Sequence, residues 1–232
     1  MEIYFEDKHY IIVNKPPKVP SQSDPTGDLD LCTMVRTYIS KRDHVKKRPL
    51  YVVHRLDRPV GGLITFAKTQ KAADLFSQMI KERSLKKTYL CVAYGQAKEG
   101  TTQLTHYLKK KSGQNVSIAV HKNNEGAKEA RLSYTSLESI KVKRDQLNLL
   151  KVHLETGRHH QIRVQLSAAE LPLWGDAKYH PQAKRKRNWT QIALWSFELS
   201  FIHPFTKEKI SLQSKPPAIE PWTQFESILM AL

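Results

Sequence analysis

His54-Arg55-Leu56-Asp57-Arg58-Pro59 sets one carboxylate between two arginines, in a turn closed by a proline and just ahead of an apolar run. Flanking guanidinium groups favour the ionised acid and attract a polyanion. The segment therefore suits a reactive Asp57 beside an anionic substrate. Two other stretches carry side chains of the same kind. Lys86-Lys87-Thr88-Tyr89 opens an apolar run that ends at Gly95, and Thr156-Gly157-Arg158-His159-His160-Gln161-Ile162-Arg163 leads into helical spacing. Each residue alone has a plainer reading: Asp57 as a surface turn-former, Arg163 as a salt-bridged helix residue, Tyr89 as a half-buried strand aromatic. His159 and His160, adjacent on a helix, diverge by about 100° and do not chelate a metal from one face. Cys32 and Cys91 have no cysteine or histidine at ligand spacing, so neither a zinc site nor a disulfide framework is expected.

The 232 residues carry 38 Lys+Arg against 22 Asp+Glu, a net charge of +16 that exceeds what solubility requires and points to a polyanionic partner. RNA, DNA and an anionic membrane all fit the charge. The basic residues do not gather on one amphipathic helix with a bulky apolar face, which disfavours the membrane. No run of about 18 apolar residues is present, and acidic residues stand in Met1-Glu2-Ile3-Tyr4-Phe5-Glu6 where a signal peptide would be basic. A cytoplasmic protein is expected. The densest basic clusters are Lys109-Lys110-Lys111 and Lys184-Arg185-Lys186-Arg187, each able to track phosphates.

Taken in order, these segments, with Pro172-Leu173-Trp174-Gly175-Asp176, Tyr179 and Phe201-Ile202-His203-Pro204 after them, resemble the RluA-like family of pseudouridine synthases. The family pattern runs HRLD, then K-x-Y, then T-G-R-x-H-Q-I-R. The resemblance implies a cofactor-free isomerase that turns uridine into pseudouridine in structured RNA, tRNA and/or rRNA. It implies Asp57 as the catalytic carboxylate, either nucleophile or base, Arg163 as its ion-pair partner and Tyr89 stacked on the target base. Arg55 would fill the space a flipped base leaves and Arg58 would hold phosphate. Lys87, Arg158, His160, Lys184, Arg185, Lys186 and Arg187 complete the expected RNA contacts. No metal and no cofactor is implied, and minimal members of the family are monomers. Four features depart from the pattern: Val60-Gly61-Gly62 stands for the usual Thr-Ser-Gly, Lys18 for a glycine after Asn14-Lys15-Pro16-Pro17, His159 for the usual Thr before His160, and no RNA-binding S4 domain is expected ahead of Glu2. Two rivals remain open: a non-catalytic RNA-binding or chaperone protein on the same scaffold, and a hydrolytic enzyme using His54 and Asp57.

The elements that must position these residues are legible in outline. Ile3-Phe5 and Tyr10-Val13 read as a hairpin, and Lys15-Pro16-Pro17-Lys18-Val19-Pro20 as an extended loop. A helix follows between Asp28 and Lys41, capped by Asp28 or Asp30, and another starts at Thr69. Strands are expected at 51–53, 63–67, 88–94, 116–120, 132–134, 147–154, 195–199 and 210–212, with a helix through Ile162, Leu166 and Ala169 and a last one from Pro221. The excess of strands predicts an α+β fold, residues 1–232 forming a single domain on a mostly antiparallel mixed sheet with flanking helices.

Overall fold

The computed structural model describes residues 1–180 and 191–232. Its chain forms two compact units, Met1–Lys87 with Ser196–Lys215, and Thr88–Trp195 with Pro216–Leu232.

In the first unit, β1 (Ile3–Glu6) and β2 (Tyr10–Lys15) form the expected antiparallel hairpin. Asp7 closes it, its Oδ1 accepting the backbone N–H groups of His9 and Tyr10 at 2.8 and 2.6 Å. β4 (Gly61–Ala67) runs antiparallel beside β2, placing Tyr10 opposite Ala67 and Lys15 opposite Gly62. β3 (Tyr51–Val52) pairs with β4, β10 (Leu194–Ile202) also neighbours β4, and β11 (Lys209–Gln213) lies antiparallel to β10. Gly62 takes φ 108°, and a Cβ there would stand 2.3 Å from the Ser196 carbonyl oxygen, so the close approach of β4 and β10 admits glycine alone.

α1 (Leu31–Arg42) starts at Asp30, whose carboxylate accepts the Thr33 N–H at 3.0 Å. α2 (Gln70–Lys81) starts at Thr69, whose hydroxyl accepts the Ala72 N–H at 3.2 Å. Ala72, Ala73, Phe76 and Met79 share one face of α2 and pack with Tyr10, Ile12, Leu63, Leu199 and Phe201. Burying a side chain of Phe76's size contributes roughly 2–3 kcal/mol, so this face, not helix propensity, holds α2 in place.

In the second unit the order is β5 (Lys86–Tyr94), β9 (Asp145–Leu154), β8 (Lys128–Val142), β6 (Thr101–Lys110) and β7 (Ser117–Val120), with every neighbouring pair antiparallel. α3 (Gln161–Ala168) packs on β6 and β7, and a 3-10 turn at Trp222–Phe225 leads into α4 (Glu226–Ala231). The α+β, mostly antiparallel expectation holds.

Two readings need correction. β6 was not expected: along Thr101–Lys110 only Leu108 is fully enclosed, so no apolar alternation marks the strand, and Lys109 and Lys110 form its end. His159 and His160 do not diverge. His160 precedes the helix in the left-handed conformation, φ 55°, and this turns its ring face to face with His159 at 3.8 Å.

Candidate active site

The Asp57 turn in the first unit is fixed by its neighbours in sequence and by the loop after β2. His54 is held upstream: its Nε2 accepts the Thr65 N–H of β4 at 2.9 Å and its ring stacks on Phe76. The accepting Nε2 places the ring proton on Nδ1. Burial, with Lys87 nearby adding repulsion, pushes the His54 pKa down to about 3. His54 is thus a neutral ring in a structural role, and its single lone pair, on Nε2, is already taken by the Thr65 N–H, which disfavours its use as a general base. Leu56 is buried, and its peptide is gripped by one hydroxyl: its N–H donates to Ser21 Oγ at 3.1 Å and its carbonyl accepts the Ser21 O–H at 2.9 Å. Val60 N–H returns to the Asp57 carbonyl at 2.9 Å and closes the turn.

Arg58 ties this turn to the loop. Its Nε donates to the Lys18 carbonyl at 2.9 Å while the Lys18 N–H donates to the Arg58 carbonyl at the same distance. Its terminal nitrogens hold Thr26 Oγ1 at 3.1 Å and ion-pair with Asp24 and Asp28. Asp28, one of the two candidate helix caps, is therefore used to clamp Arg58, and Asp30 caps α1. Lys18 carries φ 72°. The position where the family pattern has glycine does need a left-handed backbone here, and a lysine adopts it. At the other departure, Val60 is enclosed and apolar, and Gly62 is the glycine that the β4–β10 approach demands.

Arg163 in the second unit projects from α3 and is buried, as is Asp176. The guanidinium forks onto the carboxylate, Nε to Oδ2 at 2.8 Å and one terminal nitrogen to Oδ1 at 2.7 Å. Asp176 Oδ1 also accepts the N–H groups of Lys178 and Tyr179 at 2.9 and 3.2 Å, so the carboxylate organises its own turn as well as Arg163. Gly175 starts that turn at φ 72°, with the Gln191 carbonyl 2.4 Å from where a Cβ would stand. The Arg163 guanidinium lies 5.1 Å over the Tyr179 ring, whose hydroxyl accepts the Ser117 N–H at 2.8 Å and sits 2.7 Å from His160 Nδ1.

The rest of the T-G-R-x-H-Q-I-R run builds the start of α3. Gln161 Oε1 accepts from the Thr156 hydroxyl and the Arg158 N–H at 2.8 and 2.9 Å, and Arg158 Nε donates to the Glu129 carbonyl at 2.9 Å. His159 is bound to Ser117 and Asn115. Tyr89 is buried on β5 opposite Val152 of β9.

The structure thus gathers His54, Arg55, Asp57 and Arg58 on one turn of the first unit, to which Lys87 also belongs. It gathers Arg158, His160 and Arg163 at the start of one helix of the second, the unit that also carries Tyr89. Arg55 is exposed, and Lys184, Arg185, Lys186 and Arg187 lie outside the described residues. Two residues quoted in the motifs were given no role: Asp176, signalled by a lone acid after Gly175, and Lys15, signalled by a lysine ending an otherwise apolar strand.

A family model described as RNA pseudouridylate synthase matches residues 9–168. YhcT of Bacillus subtilis, named as an uncharacterized RNA pseudouridine synthase, is 30% identical over 223 residues, covering 94% of this chain and 69% of that protein. The tRNA pseudouridine synthase C of Haemophilus influenzae is 27% identical over 230 residues, 91% of either chain. Among solved structures, human RNA pseudouridylate synthase domain containing 4 superposes with a TM-score of 0.77 at 19% identity, covering 99% of this chain and 93% of that one. Human RNA pseudouridylate synthase domain containing 1 gives 0.73 at 21%, covering 100% and 95%.

Proposed function

Because this chain belongs to the RNA pseudouridylate synthase family and is an RNA pseudouridine synthase, we propose that it modifies uridines of structured RNA, tRNA and/or rRNA, with Asp57 as the catalytic carboxylate. Arg163 serves as the ion-pair partner of Asp57 and Tyr89 stacks on the target base. The observation that carries this reading is the Asp57 turn itself. It lies within the matched segment and is immobilised by Ser21, Lys18, Arg58 and His54. The tRNA named in a relative of nearly equal length favours tRNA.

The reaction breaks the bond between N1 of uracil and C1′ of ribose and forms one between C5 and C1′. The C5 proton passes to water and N1 regains one, so atoms and charge balance without a cofactor. An ionised carboxylate starts it, as nucleophile or as base. A uridine in folded RNA must first leave its stack, at a cost of a few kcal/mol, which aromatic stacking on Tyr89, worth about 1–3 kcal/mol, offsets in part. Arg55 contacts the vacated space, and Lys87, Arg158, His160 and the cluster Lys184, Arg185, Lys186 and Arg187 complete the RNA contacts, supported by the +16 charge. Arg58, Arg158 and His160 already have partners within the protein, which favours a role in shaping the site beside phosphate contact. Both units act as one catalytic domain over residues 1–232, and the protein works as a cytoplasmic monomer. No described helix is long and apolar enough to cross a membrane.

The test is carbodiimide mapping of pseudouridine in total tRNA and rRNA from cells lacking the gene and from cells restored with wild type or Asp57→Asn. A site that disappears on deletion and returns only with wild type supports the reading. A site restored by Asp57→Asn removes the carboxylate from the mechanism, and the absence of any lost site favours an RNA-binding role without catalysis.

A further inference from the structure

Arg58 follows Asp57 directly, and the two ends of its side chain are held differently. Its Nε donates to the Lys18 carbonyl, and its own carbonyl accepts the Lys18 N–H, both at 2.9 Å, so the side chain leaves the turn in a fixed direction. Its terminal nitrogens face three side-chain oxygens at alternate positions of one loop. One nitrogen donates to Thr26 Oγ1 at 3.1 Å and lies 3.7 Å from Asp24 Oδ2, and the other is ion-paired with Asp28 Oδ2. The loop is organised locally: Asp24 Oδ1 accepts the Thr26 N–H at 3.0 Å, the Gly27 N–H returns to the Asp24 carbonyl at 3.2 Å, and Gly27 takes φ 74°. Hydrogen bonds from Thr26, aided by Arg58, hold the Asp24 carboxyl below the usual carboxylate range, so it is charged at neutral pH.

Oxygens converging on the terminal nitrogens of a guanidinium are what a phosphate also offers. Two carboxylates thus occupy, beside the reactive acid of a chain with net charge +16, a cation suited to RNA backbone. Asp24 and Asp28 are 32% and 54% exposed, so water and a competing anion replace them readily. We propose that Asp24 and Asp28 form an intramolecular latch that competes with RNA phosphate for Arg58. The loop holds the guanidinium before RNA arrives, RNA docked at Asp57 takes it, and the carboxylates recapture it as the product leaves. This rests on Arg58 contacting phosphate at the Asp57 site. The two carboxylates released on binding gather cations from solution, so RNA affinity is lower, and its salt dependence shallower, than an unlatched Arg58 gives. Affinity that substrate and product share does not speed the chemistry, so weakening it favours release.

The experiment measures binding and dissociation of total tRNA from cells lacking the gene, over about 50–300 mM salt, in a double-mutant cycle. Asp24→Asn with Asp28→Asn should bind about three- to fivefold more tightly than wild type, dissociate more slowly, and steepen the log–log salt slope by about 0.7–0.9, the increment of one phosphate contact. In an Arg58→Ala background the same two changes should alter affinity by less than about 1.5-fold. A gain of equal size in both backgrounds means plain repulsion between the acids and RNA and overturns the latch. Unchanged affinity and slope in the first background overturn it as well. Should the double variant fail to fold, Asp28→Asn alone, which leaves the Asp24 turn intact, must give a gain that Arg58→Ala abolishes, and the lack of one overturns the proposal equally. Arg58→Ala binding tRNA as wild type does, with the same slope, takes Arg58 off the RNA surface. That outcome defeats the phosphate role on which the latch rests, whereas the others leave that role standing.

Discussion

Arg58 and Arg163 both grip aspartates beside the candidate site, yet their side chains are 40% and 4% exposed. Arg58 spreads over Asp24, Asp28, Thr26 and the Lys18 carbonyl in water, where an ion pair contributes about 0–1 kcal/mol because solvent competes for both charges. Arg163 meets Asp176 in a desolvated fork, where removing one partner strips the other buried charge of its bidentate counterion. The first pair fastens a loop that the buried Lys15 ammonium and Ser21 already hold. The second is the framework of its turn, since the same carboxylate also takes two backbone N–H groups.

Asp176→Ala should break this framework with the largest effect, a loss of about 3–5 kcal/mol in urea unfolding. A loss below 1 kcal/mol would put the two arginines on the same footing. Acidification comes next. His54 keeps its ring neutral while the unfolded chain takes up a proton from about pH 6.5 downward, so its contribution is present above that pH and is lost by about 1.4 kcal/mol per unit on the way to about 3. Unfolding midpoints from pH 7 to 4.5 should fall more steeply for wild type than for His54→Gln, and parallel slopes would remove His54 from the account. Arg58→Ala should cost under about 1 kcal/mol, less still in high salt, as read by the same titration at two ionic strengths. Lys18→Gly should be the smallest and opposite change, a gain of about 0.5–1 kcal/mol. It relieves the left-handed backbone of a Cβ at the expense of a more flexible unfolded chain. A loss there would mean that the Lys18 side chain contributes more than its backbone costs.

Much of the fold was legible because its signals are local. Thr69 and the Ala72, Phe76, Met79 stripe announce α2, and the Tyr10–Val13 run announces an interior strand. β6 was illegible because its stability comes from pairing with β7 and β8, while its own residues alternate between exposed and half-buried polar groups. The expected positions of the Asp57 turn and the start of α3 were readable from motif order. The partners were not: that Asp28 serves Arg58 and Asp30 serves the helix, that Arg163 takes Asp176, and that Lys15 reaches Arg58 across 43 residues. Each choice depends on which of several equivalent groups the chain brings within 3 Å, and composition does not encode that. His160 shows the same limit, since a single left-handed residue reverses the relation between two adjacent rings.

The bond from the Thr65 amide to His54 gives that strand residue a second meaning. A main-chain proton in the middle of β4 is shielded by an imidazole from outside the strand, so its exchange with deuterium is governed by how often that ring swings away. The amide is therefore a native reporter on the segment leading to Asp57, readable by magnetic resonance residue by residue. It would reveal whether bound RNA quiets or opens that segment while every side chain there stays unaltered.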